Sequence, residues 1–129
     1  MFDWRRPTNL GVKDGRLARC RRSPNCVSSQ ADPTDKEHYI APIAFSGTME
    51  QLRRAIAELP LASIVEAKDD YLYAEFRTPI LRFVDDVELY YPKGSSSIQV
   101  RSASRLGRRD FKANRNRVEQ LRALIRSIR

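Results

Sequence analysis

Apolar and polar positions alternate most regularly from Tyr71 to Thr78, where Leu72, Ala74 and Phe76 share one face and Tyr71, Tyr73, Glu75 and Arg77 the other. A period of two places this segment in a sheet with one buried face and one wet face. Ser63 to Lys68, Phe83 to Tyr91 and Ser97 to Ser104 read as further strands, with Asp69-Asp70 and Pro92-Lys93-Gly94-Ser95 as turns. Tyr39 to Phe45 is a short apolar run broken by Pro42, which suits an edge strand. Between these, Met49, Leu52, Ile56 and Leu59 recur at helical spacing. Thr48 and Gln51 form a capping-box signature, and Pro60 stops the helix. After a break at Gly107, Asn114 is the expected N-cap of a last helix with the apolar stripe Val118, Leu121, Leu124, Ile125 and Ile128. Residues 1–38 have no sustained period and contain Pro7, Pro24 and Pro33. The expected fold is therefore α+β. An irregular N-terminal arm (1–38) precedes a domain (39–129) with an antiparallel sheet of about five strands, ordered β-α-β-β-β-β-α, and two helices packed on one face.

A chain of 129 residues fits a single domain, and 41% hydrophobic with 31% charged residues stays inside the folding range. No apolar run approaches the roughly 20 residues needed to cross a bilayer. The first 20 residues lack an apolar signal core, so the cytoplasm is the default compartment. The net charge of +8 is unevenly spread. Residues 1–22 carry seven basic and two acidic residues, 23–100 seven and twelve, and 101–129 ten and two. Either the basic ends fold back on the acidic middle, or they meet a polyanion such as nucleic acid or an anionic membrane.

The strand Phe83 to Leu89 breaks the structural pattern. Alternation turns Asp85 toward the apolar face with Phe83, Val87 and Leu89, where an unpartnered carboxylate costs several kcal/mol. Pairing across the 92–95 turn sets Asp85 and Asp86 roughly opposite Arg101, Ser102 and Ala103. Asp86 and Arg101 then form an outer cross-strand pair, and Asp85 with Ser102 and Ser104 an inner polar pocket. Alternatively, Asp85 belongs to a structural network that caps the last helix or holds Arg115 or Arg117. Strand neighbours point to opposite faces, so Asp85 and Asp86 cannot act jointly on one substrate atom. His38 has no nucleophile whose proximity can be argued, and no catalytic residue is assigned. Cys20 and Cys26 flank a turn-forming stretch and would form a disulfide in an oxidising compartment or remain thiols in the cytoplasm. With His38 they supply only three metal ligands, so neither metal nor cofactor is expected. Arg105, Arg108, Arg109, Lys112, Arg115 and Arg117 gather around the start of the last helix, where arginine forks suit phosphate or carboxylate. Tyr71, Tyr73 and Tyr90, placed on the wet face, would be able to stack single-stranded bases.

Three segments together carry a resemblance: Ser23-Pro24-Asn25-Cys26-Val27-Ser28-Ser29, then Phe83 to Glu88, then Arg101 to Gly107 with Asp110, Asn114, Arg115 and Arg117. Over about residues 10–128 the chain resembles the bacterial and plastid family called domain of unknown function 1499 (DUF1499). The resemblance implies no activity, cofactor or substrate. Some relatives look exported or lumenal, which keeps a disulfide and a non-cytoplasmic site open. The chain departs from the family pattern at Arg21, in place of proline, and at Arg108 and Lys112, in place of an aromatic and a glycine.

The function expected is that of a non-catalytic binding or interaction module for a small anionic ligand or an acidic protein partner. Its site would lie where the Asp85-Asp86 strand, the Arg101–Arg105 strand and the Asn114–Arg117 helix start converge. Arg101, Arg105 and Arg117 would hold the anion, Ser102 and Ser104 would supply hydroxyls, and Asp85 would orient them. Asn25, Ser28 and Ser29 would lie across it. The alternatives are an enzyme using Asp85 or Asp86, a nucleic-acid-binding protein using the basic C-terminal region, and an envelope-associated structural protein.

Overall fold

A computed structural model of the chain describes residues 5–105 and 112–128. The expected break at Gly107 and the basic residues Arg108 and Arg109 lie outside the described residues. The elements run β1 (Cys26–Ser28), β2 (Ile43–Ala44), α1 (Met49–Ala57), β3 (Ala62–Ala67), β4 (Tyr71–Arg77), β5 (Val84–Tyr90), β6 (Ser97–Ser104) and α2 (Ala113–Arg126). They form a six-stranded antiparallel sheet in the order β1-β6-β5-β4-β3, with β2 also pairing β6. The class is α+β, as the periodicities imply.

The strands expected from alternation are present, with one addition and one contraction. Cys26–Ser28, expected within the irregular arm, joins the sheet as β1. Tyr39 to Phe45 contracts to the two residues of β2. The two short strands are halves of one edge. Cys26 pairs Ala103 and Ser28 pairs Arg101, after which Ile43 pairs Ile98 and Ala44 pairs Ser97. The Ser29 N–H reaches the Val100 carbonyl at 2.8 Å, and the Phe45 N–H the Ser96 carbonyl at 3.1 Å. Residues 30–42 therefore leave and rejoin a single line of pairing. The excursion is pinned at Ser28, whose N–H donates to the His38 carbonyl at 2.7 Å and whose carbonyl accepts from Ile40 at 3.3 Å. Three-residue pieces without alternation offer no sequence period, which is why β1 escapes detection.

Helix α1 begins as expected. The Thr48 hydroxyl accepts from the Gln51 N–H and the Gln51 side chain accepts from the Thr48 N–H, completing the capping box. Helix α2 does not begin as expected. Its N-cap is Lys112, at φ 66°, with no side-chain cap, and Asn114 lies inside the first turn, fully buried. The Asn114 amide is engaged in tertiary hydrogen bonds instead of capping.

Both helices pack on the same sheet face. Leu52 and Ile56 of α1 and Val118, Leu121 and Ile125 of α2 join Leu72, Ala74, Phe76, Val87, Leu89, Ile98 and Val100 in one core. The opposite face is not wet. Tyr71 and Tyr73 are buried there with Leu17, and Leu10 and Val12 of the N-terminal segment pack against them. Alternation between apolar residues and tyrosine, glutamate or arginine looks amphipathic; here the polar side is covered by chain whose apolar residues follow no period.

Candidate functional site

The covered outer face is built from charges that satisfy one another. Glu75 and Arg77 of β4, Asp86 and Glu88 of β5, and Arg101 of β6 project to it beside Tyr71 and Tyr73, and Arg105 reaches it from just past β6. Arg105 donates from Nε to Asp86 Oδ2 at 2.9 Å and from Nη2 to Asp86 Oδ1 at 2.9 Å and Glu75 Oε2 at 2.6 Å. The Tyr73 hydroxyl donates to Asp86, and Arg6 of the arm donates to Glu75 Oε2 at 2.8 Å while its guanidinium lies 5.9 Å from the Tyr73 ring centre. Burial alone would raise the Glu75 carboxyl, but hydrogen bonds from Arg6, Arg105 and Tyr73 outweigh it and hold the group at about 2. Hydrogen bonds to Asp86 lead the effects that raise the Arg105 guanidinium.

Glu88 and Arg101 sit deeper and fit less well. Glu88 is fully buried, accepting from the Tyr71 hydroxyl at 2.6 Å and from the Gly11 N–H at 2.8 Å, both through Oε2. Gly11 lies at φ +101°, a left-handed conformation that glycine adopts freely, and there its N–H meets the carboxylate. Arg101 Nη1 stands 3.6 Å from Glu88 Oε1. Neither Glu88 Oε1 nor Arg101 Nε has a hydrogen-bond partner among the described residues. Burial accordingly raises Glu88 and lowers Arg101, the direction expected when desolvation exceeds a weak ion pair.

The pairing corrects the expected register. Asp85 stands opposite Ser104, Asp86 opposite Ala103, and Glu88 opposite Arg101. The outer pair expected between Asp86 and Arg101 does not form; Asp86 takes Arg105, and Arg101 takes Glu88. The hairpin connection runs longer than the four-residue turn used to set the register, so the pairing shifts along β6.

Asp85 does turn inward, where it is 2% exposed. Its Oδ1 accepts from the Ser104 hydroxyl at 2.8 Å and its Oδ2 from Arg117 Nη2 at 2.9 Å, and Arg117 also stacks 4.7 Å from the Phe76 ring centre. The Asn114 amide bridges what remains. Its Oδ1 accepts from Ser102 at 2.6 Å, and its Nδ2 donates to the Ser104 hydroxyl at 2.8 Å and to the Asn25 carbonyl at 3.0 Å. Asn25 in turn donates to the Ser104 carbonyl at 3.1 Å. Ser102 therefore belongs to Asn114, and only Ser104 reaches Asp85.

The other site residues named from sequence are placed in joints of the fold. Ser29 donates to Gln99 Oε1 at 2.7 Å and accepts from the Val100 N–H at 2.8 Å, and the Ser28 hydroxyl accepts from the Gln30 N–H at 3.1 Å. Arg115 donates to the Tyr39 carbonyl at 2.8 Å. Cys20 and Cys26 are joined in a disulfide. His38, 8% exposed, is clasped between Asp35 Oδ2 at 2.8 Å and the Ser23 carbonyl at 2.9 Å. Burial would lower this imidazole, yet those two acceptors outweigh it and raise it above its ordinary 6.5. Among the described residues no His, Cys, Asp and Glu side chains gather into a metal-holding group.

The sheet thus separates residues expected to converge. Asp85, Ser102, Ser104, Asn114 and Arg117 close a network on the helix side, while Arg101 and Arg105 face the arm. What opens on the arm side is a cleft of about 500 Å³, lined by Arg5, Arg6, Arg21, Arg101 and Arg105 together with Asp86, Asn25 and Ser104. Arg5, Arg6 and Arg21 were not named as site residues from sequence, since single arginines in an aperiodic segment give no hint of a shared destination.

The fold and the cleft define a small α+β domain with an arginine-rich concavity between its sheet and its N-terminal segment. The chain belongs to the family described as "Protein of unknown function (DUF1499)", whose model matches residues 16–125. No curated protein and no solved structure matches it significantly. Among the described residues no helix is long and apolar enough to cross a membrane.

Proposed function

We propose that this chain is a non-catalytic binding module that accepts an anionic group in the arginine-lined cleft. The observation that carries this reading is the gathering of five arginines on one cleft against three carboxylates, with Arg6, Arg105 and Arg101 already meeting Glu75, Asp86 and Glu88, which leaves an excess of positive charge. Arginine forks match phosphate and carboxylate oxygens, and a half-enclosed setting strengthens each contact relative to open water. Arg101 supplies a buried Nε without a partner among the described residues, and Arg21 an exposed guanidinium. The ligand would be a small phosphate- or carboxylate-bearing molecule, or an acidic side chain of a protein partner.

A catalytic role for Asp85 or Asp86 draws less support, because each is held by an arginine at 2.9 Å. Burial raises Glu88, but that group is sealed beneath Gly11 and does not line the cleft. Base stacking by the sheet tyrosines loses its footing with Tyr71 and Tyr73 buried. The Cys20–Cys26 disulfide favours an oxidising compartment over the cytoplasmic default.

Titration with inorganic pyrophosphate, followed by the NMR signals of arginine Nε–H groups, tests the reading. Resonances of Arg21 and Arg101 should shift at low salt. Arg21→Ala should weaken binding about tenfold, the worth of one charge-assisted contact. Absence of any shift at low salt, or shifts indifferent to the substitution, would remove the cleft as a binding site.

A further inference from the structure

The two ends of the sheet differ in a way the cleft does not explain. At one end lie the close of β4, the start of β5, the close of β6 and the start of β1, because Arg77 pairs Val84, Asp85 pairs Ser104 and Cys26 pairs Ala103. The loop joining β4 to β5 projects from this end and carries Ile80, 93% exposed, beside Leu81, 65% exposed. Soluble surfaces tolerate scattered apolar side chains, but two adjacent ones displayed at the tip of a loop call for an explanation.

The tip has a built shape. The Thr78 N–H donates to the Phe83 carbonyl at 2.8 Å, the Arg82 N–H to the Thr78 carbonyl at 3.1 Å, and the Phe83 N–H to the Thr78 hydroxyl at 2.9 Å. Arg82 takes a left-handed φ of 59° to close it. Ile80 and Leu81 are thus held out without a large ordering cost on contact. Next to the loop the apolar surface continues through Leu61, 38% exposed, whose carbonyl accepts from the Arg77 N–H at 2.9 Å.

Exposed charge at this end leans basic. Its acids Glu75, Asp85 and Asp86 are buried and each meets an arginine. Among the described residues the exposed charges at this end include Arg82 within the loop, Arg21 before β1 and Lys112 at the start of α2, with Glu58 at the close of α1 as an exposed acid. At the opposite end, the β3–β4 turn exposes Lys68, Asp69 and Asp70 next to Glu66. An apolar tip that carries its own cation, at an end where exposed cations outnumber exposed acids, has the chemistry of a surface that meets lipid acyl chains and anionic headgroups together.

We propose that this end of the molecule docks on an anionic phospholipid membrane, with Ile80 and Leu81 entering the interface and Arg82, Arg21 and Lys112 meeting lipid phosphates. A protein partner would need a surface both apolar and acidic; an anionic bilayer offers both without tailoring. The apolar tip stands apart from the anion-binding cleft, which neither Ile80 nor Leu81 lines, whereas Arg21 belongs to both.

Co-sedimentation of the full chain with vesicles tests it, comparing phosphatidylcholine alone with phosphatidylcholine containing phosphatidylglycerol. Binding should require phosphatidylglycerol and weaken as salt rises. The double variant Ile80→Ser/Leu81→Ser should lose at least about tenfold in binding, the worth of removing two apolar side chains from the interface. Its Tm should be unchanged, because both side chains are exposed. Arg82→Ala should bind these vesicles less tightly, and both it and Ile80→Ser/Leu81→Ser should leave the pyrophosphate titration intact, which keeps the two sites distinguishable. No sedimentation with phosphatidylglycerol vesicles, or equal sedimentation of the double variant, would overturn the proposal. So would self-association or RNA retention by the parent chain that the double variant abolishes, each of which assigns the tip to a different partner.

Discussion

The helix side and the arm side of the sheet bury polar groups by opposite strategies. On the helix side a mostly apolar core takes in a single carboxylate, Asp85, and gives it two donors, Arg117 and Ser104, with Asn114 closing the remaining hydroxyls. On the arm side three carboxylates, two arginines and two tyrosines share the cover of a segment with few apolar residues. Asp85 and Arg117 form a single ion pair among neutral hydrogen bonds, and such a pair is replaceable in principle, because its Coulomb gain scarcely exceeds its desolvation cost. Several charges that share partners are different: each one removed strands others, and the arm is fastened by the same groups it covers. Gly11 and Arg6 hold the arm to Glu88 and Glu75, so the covering segment and the charges beneath it depend on each other.

Glu88→Ala should show the largest effect. It leaves Arg101 buried without a counter-charge, and deprives the Tyr71 hydroxyl and Gly11 N–H of their acceptor. A loss of about 4 kcal/mol is expected in urea unfolding, together with faster amide exchange along residues 5–17. A loss below about 1 kcal/mol would mean that the arm side relaxes as freely as a surface.

Glu75→Gln comes next and carries a pH signature. The folded carboxyl sits at about 2 against an ordinary 4.5. Its contribution is therefore complete above pH 4.5 and is lost as pH falls toward 2. Integrated over that window it amounts to about 3 kcal/mol at neutral pH. The substitution should lower Tm at pH 7 and flatten the acid side of the Tm profile, so that the two proteins converge near pH 2. Parallel profiles would show that the carboxylate contributes through shape and not through charge.

The smallest change is expected on the helix side. Asp85→Val combined with Arg117→Met exchanges the ion pair for apolar side chains at a valine-compatible strand position. The double variant should lie within about 1 kcal/mol of the parent in urea unfolding, whereas Asp85→Val alone costs more. A double variant as impaired as Glu88→Ala would erase the contrast between the two sides.

Much of this arrangement can be read in the residues, and the failures have physical causes. Strict alternation locates β4, the capping box at Thr48 locates α1, and the parity of β5 turns Asp85 inward with Arg117 among its expected partners. Parity cannot distinguish solvent from a charged covering segment, so Tyr71 and Tyr73 read as wet. It is also sensitive to register: the length of the β5–β6 connection decides whether Asp86 meets Arg101 or Arg105. Asn114 has the chemistry of an N-cap, but its amide finds better use where Asn25, Ser102 and Ser104 come together, a meeting of three distant stretches that no local spacing announces. The arginine cleft is hidden for the same reason, as Arg5, Arg6 and Arg21 reach it from a segment without a period.

The divided edge of the sheet also says where this molecule tolerates growth. Chain at Pro33 and Thr34 departs from and returns to neighbouring rungs of one ladder, and the clasp of Ser28 with His38 and Ile40 isolates that excursion from the pairing on either side. Added length there widens a bubble whose mouth is already shut, costing only about 0.6 kcal/mol for each doubling of the loop. A fluorescent tag or a second domain inserted at this point would ride on the edge without sliding the ladder that sets Asp86 against Arg105.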